Sequence, residues 1–270
     1  MIIDFHTHVF PDKIAEKTID ALSSKASIPP FSNGTISGLI DKMQKSGVEI
    51  SINLPVVTNP TQFDSVNRFA AGINVEFAQK DTKIISFAGI HPDCDGIEEK
   101  MAQIKAQGFL GLKIHPDYQE TFFDDEKYIA ILECAKALDL IVVTHAGFDA
   151  GYPDSPIRCT PERARKVIEK VGHRKLVLAH LGANELTDGV IENLCGLDVY
   201  FDTAYVLRFV GKENFLKILE KHGEDKILFA SDSPWSDMGA DAQILRSYKL
   251  GKETEEKLFC SNAKALLGIK

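Results

Sequence analysis

Six of the eight histidines in this chain, His6, His8, His91, His115, His145 and His180, stand at or just past the end of a short run of β-branched residues. Imidazoles gathered at strand ends suit two kinds of chemistry, divalent-cation binding and proton transfer. His6 and His8 are two residues apart, so on a strand both rings point to one side together with Asp4. Alone, that spacing serves packing as readily as a metal. Three later runs alter the balance: V-V-T-H ends at His145, V-L-A-H at His180 and F-A-S-D at Asp232, and in each the last polar residue continues the inward alternation. Four histidines and a carboxylate then converge from four strands. As core residues they would be desolvated without partners. Nitrogen and oxygen donors of this kind instead hold zinc or a similar divalent ion and leave a coordination position open. His173 and His222 lie beside Gly172 and Gly223 at helix ends, where a structural role accounts for them.

Such a convergence needs a scaffold that brings strand ends to one rim. Eight β-branched runs are present, at 2–5, 48–54, 83–90, 110–114, 140–144, 175–179, 198–202 and 226–230. They alternate with segments of helical spacing, among them 36–45, 63–79, 97–105, 127–137, 161–171 and 213–222. Thr160 before Pro161 and Glu162 reads as a helix start, and Gly172 and Gly223 read as stops. No G-x-G-x-x-G follows a strand, so the alternation predicts an α/β fold of the (β/α)8 TIM-barrel type, a single domain over residues 1–270, rather than an open dinucleotide-binding sheet. Two connections, 9–35 and 146–160, are longer than barrel loops require and are expected to act as lids or binding loops. Their Phe31, Tyr152, Asp154 and Arg158 are candidate substrate contacts.

A net charge of −8 and a pI near 5.5 argue against nucleic acid and anionic membrane as partners, leaving a small-molecule substrate and, between copies of the chain, a homodimer as an open expectation. The first ten residues lack a basic leader, and no stretch approaches membrane-spanning length. Five cysteines without C-x-x-C spacing imply neither disulfides nor a thiolate metal site and suit the cytoplasm. Cys134 and Cys260 are expected to be buried in helices, with Cys159 bordering a loop.

The motifs D-F-H-T-H-V-F-P (4–11), G-I-H-P (89–92), G-L-K-I-H-P (111–116), L-A-H-L-G (178–182), F-A-S-D-S-P-W (229–235) and N-A-K-A-L-L-G (262–268) together resemble the amidohydrolase superfamily. They are similar to its amidohydrolase-related branch, which contains aminocarboxymuconate semialdehyde decarboxylase. The resemblance implies a divalent metal, usually zinc, on His6, His8, His145 and Asp232. It makes His180 either a catalytic partner or a ligand to a second ion. One ion is favoured and two remain open, because some members bridge two ions with a carbamylated Lys or a Glu on the fourth strand, where this chain has Lys113 and His115. Lys113 is thus a bridge, a contact for a substrate carboxylate, or the partner of a barrel carboxylate. Asp4 and Asp202 are either acceptors for the spare N–H of a histidine or structural carboxylates.

The first expectation is hydrolysis of a small amide, lactone or ester, with Asp232 taking and returning the proton and His180 stabilising charge. The alternative is non-oxidative decarboxylation of a small unsaturated acid by the same residues, with Arg158 or Arg208 available to clamp the carboxylate. Lys113, His115, Tyr152 and Arg158 are the expected substrate contacts. Two weaker alternatives are a TatD-type nuclease, whose strand-four Glu is missing, and a non-catalytic metal-binding protein in which Trp235 or Phe31 blocks the open position.

Overall fold

A computed structural model describes residues 1–269. Its strands are β1 (Ile3–Thr7), β2 (Ile50–Asn53), β3 (Lys83–Ser86), β4 (Ala88–Gly89), β5 (Gly111–Ile114), β6 (Ile141–Thr144), β7 (Leu176–Leu178), β8 (Tyr200–Asp202) and β9 (Ile227–Leu228). Neighbours in chain order pair in parallel, β1 to β3 in one run and β4 to β9 in another. Only Phe87 separates β3 from β4, so the two are halves of the run expected at 83–90 and the barrel has eight staves. The ring closes between its first and last staves: Phe5 N–H donates to Phe229 O at 2.9 Å, Asp232 N–H to His6 O at 2.8 Å, and Thr7 pairs with Ser233. This is the TIM barrel that the alternation implies.

Helices α1 (Asp12–Ala26), α2 (Ile36–Ser46), α3 (Phe63–Phe77), α4 (Ile97–Ala106), α5 (Glu126–Ala137), α6 (Pro161–Val171), α7 (Thr187–Asn193), α8 (Gly211–His222), α9 (Met238–Ser247), α10 (Lys252–Glu256) and α11 (Asn262–Leu267) surround the strands. One large apolar cluster lies between strands and helices. A second draws Phe5, Ile52, Phe87, Val143, Val177 and Leu228 together with α11. α6 starts and stops as its sequence dictates: the Thr160 hydroxyl accepts from Arg163 N–H, Pro161 opens the first turn, and Gly172 ends it in the left-handed conformation.

The connection at 9–35 differs from expectation, because most of it is the 15-residue helix α1 rather than loop. Ala15 and Ile19 on one face are buried. Lys, Glu and Ser around them dilute the apolar period, and the fixed φ of Pro11 and the first-turn Asp12 are what start the helix. The 146–160 connection does lack regular structure. Near its start Gly147 has φ 87° and pairs with Asn184, where a Cβ would lie 2.1 Å from the Asn184 nitrogen, so only glycine lets the chain turn there, two residues after His145. All five cysteines are free; Cys260 and Cys159 are buried, but Cys134 is only half-buried.

Candidate active site at the barrel mouth

His6 and His8, from the end of β1, meet Asp232, which follows β9, at the mouth. The His6 and His8 Nε2 atoms are 3.2 Å apart, and Asp232 Oδ1 lies 3.1 Å from His8 Nε2 and 3.5 Å from His6 Nε2. The opposite nitrogens are tied down: His6 Nδ1–H donates to Asp202 Oδ2 at 2.9 Å and His8 Nδ1–H to the Leu54 carbonyl at 2.9 Å. Each ring therefore turns an unprotonated Nε2 toward the other and toward a carboxylate. Three acceptors facing one another repel unless a cation or proton sits among them, and this donor set fits a divalent metal. Lys113 supplies the nearest protein cation, its Nζ donating to His6 Nε2 at 3.1 Å.

His180 and His145 form the adjoining pair. His180 Nδ1–H donates to the Ala204 carbonyl, so its Nε2 accepts from His145 Nδ1–H at 2.9 Å. His145 Nε2 is then buried without a partner, 3.8 Å from the equally unpartnered Asp117 Oδ2. His145 thus stands beside the His6, His8 and Asp232 trio, and its closest metal-competent grouping is with His115 and Asp149. The His115 and His145 rings stack 4.2 Å apart with planes 10° apart, and Tyr118 stacks on His115 at 4.0 Å. Asp232 and His180 both have left-handed backbones, φ 67° and 61°, as do seven other non-glycine residues of the chain.

Burial governs the protonation of these groups. It pushes His6, His115 and His145 well below the ordinary histidine value and His180 down to about 4, so the imidazoles stay neutral and available as donors of lone pairs. It also lowers Lys113 and raises Asp202, and the two charges oppose those shifts in each other. Asp149 is raised to about 6, again by burial.

The remaining candidates are distributed as follows. Lys113, His115, Tyr118 and Asp149 line the same cavity of about 530 Å³ as His6, His8, His145, His180 and Asp232. Tyr152 and Arg158 do not line it. Lys25 sits 3.3 Å over the Tyr152 ring, and Arg158 Nη1 faces Asp117 Oδ1 at 3.4 Å. Arg208 lies over Phe31 and donates to the Trp235 carbonyl at 3.2 Å; Asp154 is exposed. Neither arginine is placed to clamp a carboxylate, and Lys113 is the one lysine or arginine among the described residues on the cavity wall. Asp4 bonds across the seam to Ser231, while Asp202 accepts from His6. His91 accepts from Asp93 N–H, and Trp235 lines the cavity without filling it. Asp117, Tyr118 and Asp149 were missed in sequence, although each follows a strand-end histidine by two to four residues, a spacing that would have found them.

The amidohydrolase family model matches residues 3–269. Solved structures with the same fold include 2,6-dihydroxybenzoate decarboxylase from Rhizobium (16% identity over 99% of this chain and 98% of that one, TM-score 0.69). They also include 5-carboxyvanillate decarboxylase from Novosphingobium aromaticivorans with manganese and 4-hydroxy-3-methoxy-5-nitrobenzoic acid (13%, 100% and 96%, 0.73). A third is an amidohydrolase so described from Staphylococcus aureus (18%, 99% and 99%, 0.69). No curated protein sequence matches the chain. No helix among the described residues is long and apolar enough to cross a membrane.

Proposed function

The chain belongs to the amidohydrolase family and is an enzyme, and from that premise we propose that it decarboxylates a small aromatic or unsaturated acid without oxidation. The observation that carries this reading is Lys113, a lone cation beside the His6, His8 and Asp232 trio in a cavity otherwise walled largely by apolar groups. A single carboxylate is the substrate feature that such a wall matches, and the phosphodiester backbone of a nuclease substrate, with its many charges, is one that it does not. The manganese and nitrobenzoate ligands of the Novosphingobium structure support the same direction.

We assign one divalent ion to His6, His8 and Asp232, with His145 turning its free Nε2 to complete the set. Zinc and manganese are separated by metal analysis. When bound, the ion supplies Lewis-acid attraction for anionic oxygens of the substrate. Lys113 Nζ orients the carboxylate. Asp232, which meets His6 and His8 through Oδ1, passes a proton from its other oxygen to the carbon that bears the carboxylate, and the C–C bond then breaks with carbon dioxide leaving and the ring regaining its electron pair. Solvent then returns a proton to Asp232. Apolar walls exclude bulk water and favour formation of neutral carbon dioxide from a charged group.

Hydrolysis of an amide, lactone or ester would use the same groups, and the lone cation favours decarboxylation over it. The whole chain acts as one barrel unit in this reading, and its free thiols suit the cytoplasm. The test is carbon dioxide release by metal-loaded protein across a panel of hydroxybenzoic and unsaturated acids in deuterated water. Deuterium should enter at the vacated carbon. Turnover of lactones or amides with no carbon dioxide from any acid would replace this reading with the hydrolytic one.

A further inference from the structure

The cavity is larger than its polar floor requires, and its walls divide by origin. Strand ends supply His6, His8, Lys113, His180 and Asp232, whereas the helices supply mainly carbon: Ile14, Leu22 and Ala26 from α1, and Val66 and Phe69 from α3. On α1, Ile14, Thr18, Leu22 and Ala26 recur every four residues and all reach the cavity, a stripe of about 18 Å at 1.5 Å per residue. The helix already has an inner face, on which Ala15 and Ile19 are buried. Along this second stripe Thr18, Leu22 and Ala26 are half-buried where they face the cavity, and Ile14 is 50% exposed. Burial of apolar surface is favourable in proportion to its area, so the stripe is a binding surface awaiting an apolar ligand. That ligand shares one cavity with the histidine cluster, which makes it part of the substrate rather than a separate protein partner.

We propose that the substrate is an acid bearing an apolar chain several carbons long, its carboxylate at Lys113 and its chain along α1 between Leu22 and Phe69. This rests on the decarboxylase reading only for the fate of the acid group; the chamber selects the chain whatever happens at the other end. A volume of about 530 Å³ falls within the range of pockets that enclose ligands larger than one substituted ring.

The experiment uses manganese-loaded protein and 4-alkyl-2-hydroxybenzoates from methyl to hexyl, with binding read from the fluorescence of Trp235, the chain's one tryptophan, on the cavity wall. Affinity should rise about threefold to fourfold with each added methylene, the value for moving one such group out of water. Ile14→Asp should flatten that series, and it spares the fold because the position is half in solvent. Leu22→Ser, a milder change, should reduce the slope as well. Affinity that is equal at every chain length, or no response across the series, overturns the proposal. Carbon dioxide measured in the same samples separates the two ideas. Rising affinity without carbon dioxide keeps the chamber and removes the decarboxylase; carbon dioxide from short acids with a flat series does the reverse.

Discussion

Asp202 links two staves of the site: its Oδ2 accepts His6 Nδ1–H at 2.9 Å, while its Oδ1 accepts the backbone N–H of His180 at 2.9 Å and of Ala204 at 3.1 Å. In Asp202→Asn the amide oxygen stays with the two backbone donors and its NH2 faces His6 Nδ1. The ring must then accept there, which moves its proton to Nε2 and into the trio. We predict a metal affinity lower by about 10- to 100-fold with the fold intact, read by metal titration alongside circular dichroism. Wild-type affinity would show that Asp202 does not set the tautomer.

Asp232→Asn is close to isosteric but cannot give up a proton as the acid does. At saturating metal, turnover should fall by at least about 10²-fold. Normal turnover would pass the proton step to another group, with His180 the first to test.

Lys113→Met keeps the length of a buried side chain and removes its charge. If the ammonium holds the substrate carboxylate before and during reaction, KM rises by about 10-fold or more while metal content is retained. A variant with unchanged KM and lost metal would place Lys113 in the metal centre instead.

His222 offers a test of stability away from the site. Its ring stacks 3.8 Å from Phe201, its Nε2–H donates to the Val199 carbonyl at 3.1 Å, and burial holds it at about 4 against an ordinary 6.5. Below 6.5 the unfolded chain takes up a proton that the folded chain refuses until about 4. This contribution is therefore complete above 6.5 and is lost as pH falls toward 4, on the order of 3 kcal/mol at most. Urea unfolding at about pH 7.5 and about pH 5 should show His222→Gln to be less stable than wild type at the higher pH, with the gap narrowing at the lower. A constant gap would mean that the ring titrates normally.

The barrel and most of its mouth were legible because their signals are local. A polar residue that continues a strand's inward alternation, as His145, His180 and Asp232 do, declares its direction within four residues. Arg158 and Tyr152 were not legible. Their loop follows β6, but whether a side chain enters the cavity or turns away depends on partners remote in sequence, and here Asp117 and Lys25 take them. α1 was hidden for a different reason. Its apolar residues serve two faces at once, so the single stripe that marks a surface helix is blurred by the one that lines the cavity.

The seam between the first and last staves has a consequence for how the protein is made. His6 and His8 leave the ribosome well over half the chain before Asp232, 224 residues beyond His8, so the nascent chain offers the imidazoles without their carboxylate. Only when β9 docks against β1, held from outside by the Asn262 amide donating to the Ile227 carbonyl at 2.8 Å, is the trio complete. A cation gripped there is a rivet across the last joint to close, and its binding free energy adds to that of closure. Chelation would then loosen the molecule first at the seam, and a lesion in the C-terminal helices would show itself as a failure to retain metal before any other element frayed.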